Sequence, residues 1–109
     1  MRRLFILLAA VFITANMFAQ APQKMSYQAV IRDSSNHLVN NQAVGMQISI
    51  LQGTPSGTAV YVETQTPMTN ANGLITIEIG GGAGFSTINW ANGPYFIKTE
   101  TDPTGGTNY

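Results

Sequence analysis

Apolar and polar residues alternate along much of the chain after residue 20, with the spacing of β-strands that bury one face. The alternation is clearest over residues 44–50, and it recurs over 27–32 and 75–79. Two further segments, 58–66 and 94–101, are rich in β-branched and aromatic residues and alternate less cleanly, which is typical of strands near an edge or covered on both faces. No segment after residue 20 has a sustained helical period, so the sequence predicts an all-β domain.

Residues that favour tight turns separate these segments. Clusters of Asp, Asn, Ser, Gly and Pro occupy residues 33–36, 53–57, 70–73, 80–84, 92–94 and 102–106. Connections this short exclude the crossovers that parallel strands need, so the predicted fold is an antiparallel β-sandwich. Only three residues follow the last turn, which predicts a sandwich without its last strand. A fragment of a longer protein is the favoured explanation, and a strand supplied by a partner is the alternative.

The longest apolar run lies at the N-terminus and predicts a signal peptide. Arginines occupy residues 2–3, apolar residues fill 4–15, and the small residue Ala19 precedes polar sequence. The alternative is a retained membrane anchor, which needs about 20 predominantly apolar residues to cross the bilayer. Thr14 and Asn16 interrupt this run too early. We therefore expect a signal-peptide helix over residues 1–20, with cleavage near Ala19.

Cleavage would leave one domain, residues 21–109, secreted or held at the outer cell surface after passage through the periplasm. The full chain carries five basic and five acidic residues, and removal of the two arginines leaves a net charge of −2. A chain without a basic stripe does not match the phosphates of nucleic acids or an anionic membrane, so neither is a predicted partner. The absence of cysteine excludes disulfides, thiol nucleophiles and a lipid-modified export signal.

The sequence offers little material for nucleophilic or phosphate chemistry. His37 is the only histidine, so a multi-histidine metal centre cannot be built. A nucleophile at Ser34 or Ser35 with His37 as its base would fall within the predicted turn at 33–36, which favours an exposed loop instead. The glycine-rich segment 80–84 lacks the Lys-Ser/Thr ending of a phosphate loop, and no predicted helix follows it.

The acidic residues do not form a predicted catalytic pair or metal site. Glu63, Glu78 and Glu100 alternate with apolar residues on predicted strands, so we expect outward-facing, solvated charges. Asp33 lacks the spacing of acidic residues found in calcium loops, and Asp102 has few oxygen ligands nearby in sequence. No catalytic residue, metal or cofactor is predicted.

One group of residues has the composition of a ligand platform. The aromatic rings of Trp90 and Tyr95 could stack on sugar rings, while Asn89 and Asn92 bond the hydroxyl groups. The favoured alternative is that Trp90 covers the end of the sandwich and Tyr95 fills the core, because large aromatic residues in small β domains mostly pack. Burial of the indole distinguishes the two interpretations.

Four segments carry a resemblance to a known family. They are MSYQAVIRD (25–33), QISILQG (47–53), TNANGL (69–74) and GPYFIKTE (93–100). With them the chain resembles, over residues 25–109, the N-terminal module of large secreted fibre- or adhesin-like surface proteins of Gram-negative bacteria. The resemblance implies an immunoglobulin-like or transthyretin-like β-sandwich after the signal peptide, followed by stalk, fibre or adhesin regions. The family pattern continues with a further strand, which supports a truncated domain, and it implies no catalytic residues.

The expected function is therefore a non-catalytic structural or interaction module at the N-terminus of an exported cell-surface or adhesin-like protein. Its expected partners are other domains of the same longer chain, and a cell-surface protein or glycan. The alternative is a carbohydrate-binding module that uses the Trp/Tyr platform. An exported enzyme ranks last, because the sequence holds no acid–base, nucleophile or metal set.

Overall fold

The computed structural model describes residues 24–109, and the predicted signal-peptide helix at 1–20 lies outside the described residues. Each of the five predicted strand segments forms a strand, with small shifts at the ends. The strands are β1 (Met25–Val30), β2 (Gly45–Gln52), β3 (Thr58–Gln65), β4 (Leu74–Ile79) and β5 (Tyr95–Asp102). Between β4 and β5 lie two single-turn 3-10 helices, Phe85–Thr87 and Trp90–Asn92. No helix within residues 24–109 is long and apolar enough to cross a membrane.

The strands form two antiparallel sheets that pack face to face. β1 pairs with β4 in a two-stranded sheet, and the other sheet has the order β3-β2-β5. β2 is thus the central strand of the larger sheet, and β3 and β5 are its edges, in agreement with their irregular alternation. The predicted antiparallel β-sandwich is confirmed.

The core lies between the two sheets and is built mainly from the alternating apolar positions of β2 and β4. β2 contributes Met46, Ile48 and Ile50, and β4 contributes isoleucines at 75, 77 and 79, all at most 5% exposed. This burial supplies the main stabilising free energy, roughly 25 cal/mol for each Å² of apolar surface removed from water. Tyr61 and Phe85 extend the core toward one end of the sandwich.

β2 departs from simple alternation because its second face is also covered. Ser49 and Leu51, on the face away from the core, are 5% and 7% exposed. Ser49 lies between Val62 of β3 and Lys98 of β5 in the paired register, so neighbouring side chains on both sides shield it. A β-bulge between Ile50 and Leu51 shifts the β3 register by one residue.

Candidate functional site

Four aromatic side chains form a continuous row at one end of the sandwich. Tyr61, Phe85, Trp90 and Tyr95 contact one another in that order, with ring centroids 5.2, 5.7 and 5.1 Å apart. Each contact is edge-to-face, the arrangement that the quadrupoles of aromatic rings favour. We call this set the aromatic row. It runs from β3 through both 3-10 helices to the start of β5.

Local hydrogen bonds hold the two central rings in place. Gly84 adopts a left-handed conformation (φ 93°) before the first 3-10 helix, and its carbonyl accepts a 2.7 Å bond from the Thr87 hydroxyl. Asn89 precedes the second 3-10 helix, and its Oδ1 accepts a 3.2 Å bond from the backbone N–H of Ala91. The turn residues in this segment therefore position Phe85 and Trp90.

Burial decreases along the aromatic row. Tyr61 and Phe85 are 5% and 4% exposed, Tyr95 is half-buried, and Trp90 is 47% exposed. The indole thus packs against the end of the core through Phe85 and also presents about half of its surface to solvent. Trp90 therefore covers the end of the sandwich, as one interpretation of the sequence expects, and it also offers an exposed ring surface, as the ligand-platform interpretation expects.

The structure brings the four predicted site residues together around this exposed indole. The Tyr95 hydroxyl donates to the carbonyl of Asn89, and the Gln52 side-chain amide donates to the carbonyl of Asn92 at 3.1 Å. Tyr95, Asn89 and Asn92 line a groove of about 240 Å³ together with Gln52. The side-chain oxygen of Asn89 is already used in capping its own 3-10 helix.

The geometry of the rings differs from a flat platform. The planes of Trp90 and Tyr95 meet at 71°, so the two rings cannot stack together on one sugar face. Trp90 instead lines a second, larger groove of about 490 Å³, which the sequence did not indicate. Met25, Phe85 and Ile88 give this groove an apolar lining, and Lys24 and Ser86 also line it. The predicted site is thus divided between two grooves.

The prediction that Glu63 faces outward and is solvated is wrong. Its carboxylate accepts hydrogen bonds from the Tyr61 hydroxyl at 2.8 Å, the Gln65 amide at 2.7 Å and the Gly80 backbone N–H at 2.6 Å. Partial burial raises the pKa of the Glu63 carboxyl, but these hydrogen bonds outweigh it and the net pKa lies below its ordinary value. Glu78, in contrast, is exposed as predicted.

Glu63 and the side chains bonded to it connect β3 with β4 and with the loop that follows β4. Glu63 lies on the core-facing side of β3, opposite Ile48 of β2, and reaches the loop that follows β4 through Gly80. The Tyr61 hydroxyl, besides donating to Glu63, accepts a 2.9 Å bond from the Gly82 N–H. Gln65 donates to the Glu78 carbonyl of β4 at 2.7 Å. The two sheets are therefore joined by polar contacts along the β3–β4 side.

Asp33 and Asp102 hold loops in the same way. Asp33 accepts 2.9 Å bonds from the backbone N–H groups of Ser35 and His37, and the His37 bond is the main cause of its lowered pKa. Asp102 accepts from the Thr104 hydroxyl and N–H and from the Asn108 N–H, and the Thr104 side chain is the main cause of its lowered pKa.

The same contacts lie in the turn that the sequence predicts at residues 33–36. The Asp33–Asn36 turn is present, with a 2.9 Å bond from the Asn36 N–H to the Asp33 carbonyl. The partner of the His37 imidazole is the Asp33 carboxylate, 3.7 Å away, and the ring is largely exposed. Within the described part of the chain, no three His, Asp or Glu side chains lie close enough to hold a metal ion.

The fold and this site define a small antiparallel β-sandwich domain whose charged loop residues bind its own backbone and whose aromatic row ends at a solvent-exposed indole. By sequence, the chain belongs to the family described as a domain of unknown function (DUF8740), whose profile matches residues 26–108. The match thus runs from the first strand to the loop after the last. No curated protein and no solved structure matches the chain.

Proposed function

We propose that this domain is a non-catalytic structural and interaction module at the N-terminus of an exported bacterial cell-surface or adhesin-like protein. The observation that carries the proposal is the use of its carboxylates. Asp33 and Asp102 accept hydrogen bonds from the loops that follow them, Glu63 accepts from its own strand and from the loop after β4, and the pKa of each is lowered. Such groups stay ionised at neutral pH and fix loop geometry, which suits a rigid scaffold better than proton transfer.

The sequence supports the cellular setting of this proposal. The N-terminal 20 residues have the three parts of a signal peptide, which supports passage through the periplasm to the outer surface or the medium. Its partners are then the following domains of the same chain and a protein or glycan of a cell surface. The resemblance to immunoglobulin-like or transthyretin-like modules of such surface proteins points the same way.

Export is the first test of the proposal. Expressed in a Gram-negative host, the 109-residue chain is expected outside the inner membrane with its new N-terminus close to Ala19, as read by fractionation and mass spectrometry. The variant Leu8→Arg, which interrupts the apolar run, is expected to stay in the cytoplasm at full length. An unprocessed wild-type chain in the cytoplasm would overturn the proposal. So would turnover of an ester, peptide or glycoside panel that is lost in His37→Ala.

The half-exposed indole favours a second candidate function, which is carbohydrate binding. Trp90 is the only tryptophan and lines the apolar groove, while the second groove, which shares Ile88 with the first, carries the side chains of Gln52 and Asn92. Sugars bind to such combinations of an aromatic ring and side-chain amides. The domain would then be the glycan-recognition module of the same surface protein.

Fluorescence of Trp90 tests this candidate directly. If glycans bind here, soluble oligosaccharides shift the indole emission in a saturable way, and Asn92→Ala weakens binding about fivefold, the equivalent of one lost hydrogen bond. Asn72→Ala is the matched control, because Asn72 is an exposed residue of the distinct 70–73 turn. An emission that does not change across a broad glycan panel, or equal effects of the two variants, would exclude this function for the site.

A further inference from the structure

Two asparagines of the chain are followed directly by glycine: Asn72 before Gly73, and Asn92 before Gly93. In such a pair the backbone nitrogen of the glycine can attack the side-chain amide carbon of the asparagine, because glycine has no side chain to hinder the approach and its backbone is flexible. Asparagine counts among the thermolabile residues of proteins. The reaction needs a free glycine nitrogen and a backbone that can rotate, and the two pairs differ in both.

The fold restrains the pair at residues 72–73. Gly73 is buried, its N–H donates to the Asn70 carbonyl at 3.0 Å, and its carbonyl accepts a 2.8 Å bond from the Ile31 N–H. The Asn70 side chain closes the same turn, because its Oδ1 accepts bonds from the N–H groups of Asn72 and Leu74 at 2.8 and 3.0 Å. The Gly73 nitrogen can therefore reach the Asn72 side chain only after several of these bonds have opened.

The pair at residues 92–93 lacks these restraints. Asn92 and Gly93 are both exposed, and within residues 24–109 the Gly93 N–H has no hydrogen-bond acceptor and the Asn92 side chain has no hydrogen-bond partner. Asn92 ends a single-turn 3-10 helix, which a 3.0 Å bond from its N–H to the Asn89 carbonyl closes. Such short helices have poor hydrogen-bond geometry and open at little cost. The Gly93 nitrogen is thus free beside the side chain that it can attack.

We propose that Asn92 is a site of spontaneous deamidation in the folded protein and that the fold protects Asn72 from the same reaction. The Gly93 nitrogen bonds to the side-chain carbon of Asn92 and gives up its proton, and the side-chain nitrogen leaves as ammonia. Water then opens the cyclic imide. Opening at one carbonyl gives aspartate, and opening at the other gives isoaspartate, in which the main chain runs through the former side chain. In sum, one amide and one water become one carboxylate and one ammonium ion.

Deamidation changes the smaller groove, of about 240 Å³, which Asn92 lines together with Gln52 and Tyr95. The residues that line this groove carry no charge, and either product places a carboxylate among them. Isoaspartate also lengthens the main chain by one carbon at the residue whose carbonyl accepts the 3.1 Å bond from the Gln52 side chain. That bond connects the loop before β5 to β2, so the modification alters both the charge of the groove and the attachment of the loop.

Peptide mapping by mass spectrometry, after incubation of the purified chain at neutral pH and physiological temperature, tests the proposal. In the folded protein, Asn92 is expected to convert at least about tenfold faster than Asn72, because at least two hydrogen bonds of Gly73 must open first. In urea the two asparagines are expected to react at similar rates, since only the fold distinguishes them. Equal rates in the folded protein, an Asn92 that reacts only in urea, or the same preference for Asn92 in urea would each overturn the proposal.

The variant Gly93→Ala tests the attacking group. The φ of −66° at Gly93 suits any residue, and the added methyl group meets the Tyr95 side chain at 3.3 Å, so a small movement of that ring accommodates it. This variant is expected to lose most of the conversion at Asn92 and to leave Asn72 unchanged, with the fold checked by circular dichroism. Isoaspartate among the wild-type products, identified by its fragmentation, is the expected mark of the imide. Aspartate alone, or undiminished conversion in Gly93→Ala, would contradict this route.

Discussion

Alanine at Gly45 is expected to lower the free energy of unfolding by about 2 kcal/mol, the middle of the range for inserting a carbon into packed structure. A Cβ at this position would lie 1.8 Å from the Gly106 carbonyl oxygen, far inside van der Waals contact. The obstacle is backbone, and the loop that carries it is held by the hydrogen bonds of Asp102 with Thr104 and Asn108. Relief of the clash must therefore distort β2 or break these bonds.

The measurement is urea unfolding followed by circular dichroism, with Gly81→Ala as the matched control. A Cβ at Gly81 meets no atom within 4 Å, so this variant is expected to stay within about 0.5 kcal/mol of wild type. Equal transition midpoints for the two variants would show that the contact between Gly45 and Gly106 does not constrain the fold.

Glu63→Ala is expected to cost about 2 kcal/mol at neutral pH, because it removes a carboxylate that accepts three hydrogen bonds and leaves their donors without a partner. Since the pKa of Glu63 is lowered in the folded state, its contribution is complete above the ordinary carboxyl pKa and is lost as the pH falls through the folded value. The stability difference between wild type and variant should thus shrink in acid.

Unfolding measured from neutral to acidic pH checks both parts of this prediction. Glu78→Ala, on β4 of the facing sheet, is the control, because the Glu78 side chain is 68% exposed and its ion pair with Lys24 is a long surface contact. Its effect should be small at every pH. A Glu63→Ala variant as stable as Glu78→Ala would mean that the loop after β4 does not need the Glu63 carboxylate.

The period of two was sufficient to locate the strands because burial of one strand face is a local signal. The order of strands in a sheet depends on residues far apart in sequence. The environments of Ser49 and Glu63 depend on that order, so the period of two does not predict them. By its position in the alternation, Ser49 falls on the polar face of residues 44–50, yet the central position of β2 between β3 and β5 buries it. Glu63 alternated correctly with apolar residues, but its acceptor role depends on the Gly80 loop, which only the pairing of the two sheets brings near.

In the candidate site, too, features set by residues close in sequence were predictable, and features set by packing between distant segments were not. Trp90, Tyr95, Asn89 and Asn92 lie within seven residues of sequence, so their proximity could be read from composition and turn chemistry. The larger groove could not, since it needs Met25 from the opposite sheet beside Phe85 and Ile88. The angle between the Trp90 and Tyr95 rings could not be predicted from the sequence either, because it depends on side-chain packing against the core.

The β-bulge at the β3 edge has a consequence for how far this sheet can extend. An extra residue, Val60, interrupts regular pairing there, and Gln65 fastens β3 to β4. The larger sheet therefore has one regular border and one irregular border. A bulged border pairs poorly with a further regular strand, so the β3 side of this sheet is protected against edge-to-edge addition.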